Sequence, residues 1–446
     1  MSDRSSVLRC LCLALLLTSA AASAALPNLD RRLSALAASG EFDGAVVIRR
    51  RGRVIYSNGF GLADVEARVP FSPDTIVETG SVTKPVTAAA MLWLADRGQL
   101  DLDDEVRVLV PEFPHEGTTF RDLLIHAGGL PDYSAFDAAL NSGRVIRTTD
   151  LLGLMGTARI APAFSPGSRF SYCNICFDTL ALAVERLTGE NFGDFARRRF
   201  LIPAGACGVF LRPARLADYP GIRMRGYRRT PAGVEPNDVF DNEGFYGGGN
   251  LYFSAADLAA WMSAWANGTG GIRRIRRAAT APVRLTDGRS GLAFGNFYCA
   301  PSRTRCYYPG HHQGFHAFGY WDSKARLAIA LVSNGTLSPR LQVEIPRLLI
   351  AAAEQTPLPE SSPEPAAAAG ALRPASYDVE GLGTVILDQS TDGLSVILPG
   401  HTAFRLFPAG GGWSYAPGLD LYLRSDGSNG LVLRSVFLEG HGRAPR

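Results

Sequence analysis

Gly80-Ser81-Val82-Thr83-Lys84-Pro85-Val86-Thr87 opens an apolar stretch that runs on through Ala88, Ala89, Met91, Leu92 and Leu94 and stops at Gly98. The pattern predicts a helix with Pro85 in its first turn, where a missing N–H does little harm, and a glycine stop. Ser81 and Lys84 are three residues apart, so their side chains share one helix face. Lysine is rare here: Lys and Arg together number 45, and only Lys84 and Lys324 are lysines. Arginine stays protonated in a protein, whereas a lysine can give up its proton once desolvated or set near another cation. A deprotonatable amine one turn from a serine is the layout of a nucleophile with its base. It points to acyl transfer.

Two further elements follow in order. Phe170-Ser171-Tyr172-Cys173-Asn174 precedes a second apolar helix, expected from about Ile175 to Leu187 and closed by Gly189. Pro309-Gly310-His311-His312-Gln313-Gly314 precedes the apolar strand Arg326-Leu327-Ala328-Ile329-Ala330-Leu331-Val332. Together the three elements resemble the serine β-lactamase and penicillin-binding-protein superfamily, specifically its class C-like branch, whose signature is S-x-x-K, then Y-x-N, then K-T-G or H-x-G. The resemblance covers roughly Phe42 to Glu354. It includes Gly98-Gln99-Leu100-Asp101-Leu102-Asp103-Asp104 and Arg121-Asp122-Leu123-Leu124-Ile125-His126-Ala127-Gly128-Gly129-Leu130-Pro131.

The resemblance implies an α+β fold: a β-lactamase-like antiparallel sheet flanked by helices, with a mostly helical subdomain between Gly98 and about Leu258. The active site would lie where the two meet. Ser81 would be the nucleophile, with Lys84 and Tyr172 moving its proton; which of the two is the base stays open. His312 would stand in the third motif and Asn174 would hold the substrate's amide side chain. Gly314 would set the Phe315 N–H opposite that of Ser81 as an oxyanion hole. The third motif departs from the family pattern, with bulky Phe315-His316 after the glycine. Histidine in place of lysine also makes the pocket less cationic near neutrality, which favours a peptidase or esterase over tight carboxylate recognition. His126 reads as a structural histidine, and Phe245-Tyr246-Gly247-Gly248-Gly249 as a glycine turn able to approach the pocket. His312 and His316 lack the helical pattern and nearby glutamate of a zinc site, so no metal and no cofactor is expected.

The rest of the chain sets the context. Residues 1–24 read as a signal peptide: Arg4 and Arg9, an apolar core from Leu11 to Leu17, and Ala22-Ser23-Ala24. The protein is therefore expected in the periplasm or secreted, with no transmembrane span in the mature chain. Export permits disulfides. Cys299 and Cys306 flank a polar loop and are expected to be bridged, and Cys207 has Cys176 or Cys173 as candidate partners. A net charge of +3 and short, separated arginine runs give no reason to expect nucleic acid. A small molecule or a peptide is the expected substrate. The hydrolase domain is expected over 27–355, and 356–373 reads as a Pro- and Glu-rich linker. Residues 374–446 read as a small antiparallel β domain without a catalytic cluster, accessory and removable. The function expected is an exported serine hydrolase acting through an acyl-enzyme on D-amino-acid peptides or carboxylic esters, with weak β-lactamase activity. A penicillin-binding sensor or a non-catalytic exported scaffold is the alternative.

Overall fold

Ala45-Val46-Val47-Ile48 and Leu327-Ala328-Ile329-Ala330-Leu331-Val332 are apolar without alternation, the composition of strands buried on both faces. The computed structural model describes residues 27–443 except 222, 231–232, 239–242, 287, 289–292, 336, 361–370, 381, 391–392, 400–402, 411, 418 and 427–429. The expected signal peptide lies outside the described residues, as does much of the linker. Six strands form one antiparallel sheet: β1 (Gly44–Arg50), β2 (Arg53–Phe60), β3 (Tyr298–Cys299), β4 (Arg305–His312), β5 (Phe315–Asp322) and β6 (Leu327–Ser333), in the order β3-β4-β5-β6-β1-β2. Both apolar runs pair at its centre, Val47 opposite Ala330.

Five helices carry the argument: α1 (Pro27–Ala38), α2 (Thr83–Ala95), α3 (Asn174–Thr188), α4 (Ala255–Asn267) and α5 (Pro339–Glu354). α4 lies across β1, β5 and β6 with Trp261 and Trp265 fully buried, while α1 and α5 pack together against the sheet. α2 and α3 face each other in the part between the sheet strands, where the remaining helices are short. Both expected helices are present, α3 ending at Gly189 in the left-handed conformation.

The C-terminal part is a nine-stranded antiparallel sheet: β7 (Ala375–Val379), β8 (Gly383–Ser390), β9 (Gly393–Ile397), β10 (Ala403–Arg405), β11 (Phe407–Gly410), β12 (Trp413–Ala416), β13 (Leu421–Ser425), β14 (Gly430–Arg434) and β15 (Glu439–Arg443). Phe404 to Phe407 reads as one strand in the sequence but divides between β10 and β11. Leu431 to Leu438 also breaks, because Ser435 turns the chain: its N–H reaches Leu438 O at 2.7 Å and its hydroxyl accepts the Leu438 N–H at 3.2 Å.

This part packs against the rest of the chain. Phe404 packs on Phe170 and Phe437 on Tyr307, with ring centroids 4.9 and 5.0 Å apart. Arg347 of α5 donates to the carbonyls of Ser435 and Leu438 at 2.6 and 2.7 Å, and the Tyr298 hydroxyl donates to Pro417 O. Asp420 is buried at this junction, accepting from the hydroxyls of Tyr415, at 2.9 Å, and Tyr307. The sequence hides the polar half of the junction because its residues are tyrosines, an arginine and a loop aspartate, which read individually as surface.

Burial pushes the Asp420 carboxyl up to about 6, against the pull of those two hydroxyls. The folded chain therefore holds this proton more tightly than the unfolded one. Asp420's contribution favours the fold below about pH 4 and is lost as the pH rises through about 6. Asp420→Asn removes that titration. The variant should gain stability relative to the parent between about pH 4.5 and 7, by on the order of 2 kcal/mol. Thermal melts of both proteins across that range check the sign; a difference independent of pH contradicts the assignment.

Candidate active site

Ser81 sits in a tight turn, Gly80–Val82, that runs directly into α2. Gly80 has φ +52°, and a Cβ there would lie 2.6 Å from His311 O; a Cβ on Gly310 would lie 2.0 Å from Thr79 O. Only glycine at both positions lets the edge of β4 come this close to the Ser81 turn. Thr83 Oγ1 donates to Gly80 O at 2.9 Å, and Glu78 Oε1 accepts the Gly80 N–H at 2.9 Å, which holds the turn from both sides.

Lys84 is fully buried and its Nζ has three neighbours: Gly248 O at 2.7 Å, Asn174 Oδ1 at 2.7 Å and Ser81 Oγ at 3.0 Å. A carbonyl and an amide oxygen only accept, so two N–H bonds are committed to them. The third direction, lone pair or N–H, points at Ser81 Oγ. From the other side the Tyr172 hydroxyl donates to the same oxygen at 2.7 Å. The structure thus brings Ser81, Lys84, Tyr172 and Asn174 together. Gly248 takes part through its carbonyl, and its N–H donates to Asp178 Oδ1 at 2.9 Å. Burial pushes the Asp178 carboxyl up to about 6, opposed by the hydrogen bonds from Tyr133 and Gly248 and by Lys84.

His126 positions Tyr172. Its ring stacks on the tyrosine at 4.6 Å, and its Nδ1 accepts the Cys173 N–H at 2.9 Å. Nδ1 is therefore the acceptor, so Nε2 carries the proton and donates to Asn296 Oδ1 at 2.6 Å. Burial, then Lys84, pull this imidazole down to about 3, so it stays neutral. The structural reading of His126 stands, with the added point that what it holds is Tyr172. Cys173 and Cys176 are bridged to each other at the start of α3, so Cys207 pairs with neither; the Cys299–Cys306 bridge joins β3 to β4 as expected.

The third motif is arranged differently from the expectation. Gln313 and Gly314 form the β4–β5 turn, with Gly314 against Gly226 and Tyr227, and Phe315 opens β5 paired with His312. The backbone beside Gly80 belongs to His311. Arg305 O is taken by Ala300 N–H on the β3 side of β4, and the two-residue period puts the His311 N–H on that same edge, away from β5. His311 and His316 meet across the strands, Nδ1 to Nδ1 3.0 Å. His312 is a third exposed, lines the cavity, and lies 3.7 Å from Glu78 Oε2. Sequence reasoning missed Glu78 and Tyr308. Tyr308 is buried beside Tyr172, and burial with that neighbour raises its hydroxyl well above the ordinary range.

These groups open into one cavity of about 630 Å³. Its floor carries Ser81, and part of its wall is Tyr415 and Pro417 from the C-terminal sheet. Among the described residues no helix is long and apolar enough to cross a membrane.

A family model described as Beta-lactamase matches residues 29–354. A penicillin-binding protein of Bacillus subtilis (strain 168) is 27% identical over 274 residues, covering 59% of this chain and 61% of that protein, so the chain spans about three fifths of that relative's length. Esterase EstB of Burkholderia gladioli is 34% identical over 256 residues, covering 50% of this chain and 65% of that one. The octameric penicillin-binding protein homologue from Pyrococcus abyssi superposes with a TM-score of 0.64 at 19% identity, covering 93% of this chain and 99% of that one, so the likeness in fold extends into the C-terminal sheet. A serine flanked by lysine and tyrosine on this sheet-and-helix frame agrees with the matched segment: the chain belongs to the beta-lactamase family of serine hydrolases.

Proposed function

We propose that the protein is an exported hydrolase that acylates Ser81 with D-amino-acid peptides or carboxylic esters and turns over β-lactams slowly. The observation that carries the reading is Ser81 Oγ held between Lys84 Nζ at 3.0 Å and Tyr172 Oη at 2.7 Å. In the proposed cycle one of these groups takes the Ser81 proton as Oγ attacks the carbonyl carbon. The carbonyl electron pair moves to oxygen, where the N–H groups of Ser81 and His311 face it; His311 replaces Phe315 as the second donor. Collapse breaks the bond to the leaving group, which leaves with a proton relayed through Tyr172. Water then hydrolyses the Ser81 ester by the reverse route.

The named esterase and penicillin-binding protein among the relatives support the ester and peptide classes. Two disulfides among the described residues support export. We take 27–355 as the hydrolase body, 356–373 as its connector and 374–446 as a β unit that completes the pocket. Screening against p-nitrophenyl butyrate, a chromogenic cephalosporin and D-Ala-D-Ala peptides tests the reading; failure of all three to turn over contradicts it.

Lys84→Arg keeps the positive charge but cannot supply a base. Turnover should fall by roughly 10³-fold or more, in the range expected when general-base catalysis and nucleophile activation are both lost. A variant within tenfold of the parent kcat would leave proton transfer to Tyr172 alone.

A further inference from the structure

The charges around the cavity are unevenly distributed. Glu78, Asp132, Asp137 and Glu243 line it, and among its described lining residues there is no arginine or lysine. Behind the wall Arg212 answers Glu243 at 3.3 Å, Lys84 faces Asp178, and Arg223 is held by Asp238. Among the described residues no arginine or lysine forms an ion pair with Glu78, Asp132 or Asp137. Glu78 is the sharpest case: it is 1% exposed, its Oε2 accepts no hydrogen bond, and its charge is answered only by His312, with Nδ1 at 3.7 Å, and through space by Arg212. A buried carboxylate oxygen without a donor is costly unless a ligand supplies one. The rest of the wall favours the same partner. Tyr298 and Tyr308, stacked on each other at 5.5 Å, line the cavity together with Tyr415, which Asp420 anchors, and an aromatic wall suits a cation.

We infer that the cavity binds an ammonium group of the substrate, close to the scissile carbonyl, between the carboxylates of Glu78, Asp132 and Asp137 and the tyrosine wall that Tyr415 completes. This rests on the hydrolase reading above and narrows it to amine-bearing esters or amides. A substrate carboxylate would meet Glu78 behind His312 and is disfavoured at that position.

Two substrate pairs test it on the full-length protein. D-alanine methyl ester against its N-acetyl form puts the charge on the acyl half; acetylcholine against 3,3-dimethylbutyl acetate puts it on the leaving half. In at least one pair the charged member should have kcat/KM about tenfold higher or more, the worth of one charge-assisted contact. That ratio should shrink as salt is raised from 20 to 500 mM, on the order of a threefold change in Debye length or more. It should also fall toward one in Asp132→Asn/Asp137→Asn and decrease in Tyr415→Leu. Turnover of these substrates with no preference in either pair overturns the ammonium site and leaves the hydrolase reading intact. No turnover of any of them, together with no covalent labelling of Ser81, removes the hydrolase reading and this inference with it.

Discussion

Ser81→Ala should lower kcat/KM for every substrate that the parent hydrolyses by at least about 10⁴-fold, while leaving the melting temperature within a few degrees. Loss of a serine nucleophile has a cost of this order because the lysine and tyrosine then have nothing to activate. The side chain is only partly buried and its Oγ bonds to Lys84 and Tyr172 rather than to the core, so the fold loses little. Initial-rate kinetics on purified parent and variant decide the point. Residual activity within a hundredfold of the parent would mean that another group carries the reaction.

Removing residues 371–446 should be nearly as damaging, by a different route. The cut strips the cover from Phe170, Tyr298 and Tyr307, leaves Arg347 without its two carbonyl acceptors, and deletes Tyr415 and Pro417 from the cavity. Exposing one fully buried large apolar side chain alone costs on the order of 1.5–3 kcal/mol. The truncated chain is expected to be insoluble, or to show kcat/KM at least about 10²-fold lower if soluble, since misplacing the pocket wall by an ångström has that effect. A soluble truncated chain with parental kcat/KM and melting temperature would restore the accessory role that the sequence suggests.

The legible parts of the molecule were those written in local pattern. Ser81-x-x-Lys84 at the head of an apolar helix marks the proposed catalytic face because helix spacing puts these two side chains together, and Tyr172 at the head of another apolar helix joins them through the packing of α2 on α3. The unbroken apolar strands at 45–48 and 327–332 likewise announce the centre of a sheet. What failed was whatever depends on a strand edge meeting something distant. His312-Gln313-Gly314 looks like the third motif on the page, yet the approach to Gly80 is made by Gly310 and His311. Only strand pairing shows which N–H groups of β4 point away from β5. Glu78 and Asp420 were invisible for a related reason: a single carboxylate in sequence reads as surface, and only tertiary packing buries it.

The central claim is that Ser81 becomes covalently acylated, and intact-protein mass spectrometry after incubation with a fluorophosphonate tests it most directly. One adduct per chain is expected, mapping to the peptide that contains Ser81, slower to form in Lys84→Arg and missing from Ser81→Ala. An unmodified parent protein, or an adduct that persists in Ser81→Ala, would contradict the account.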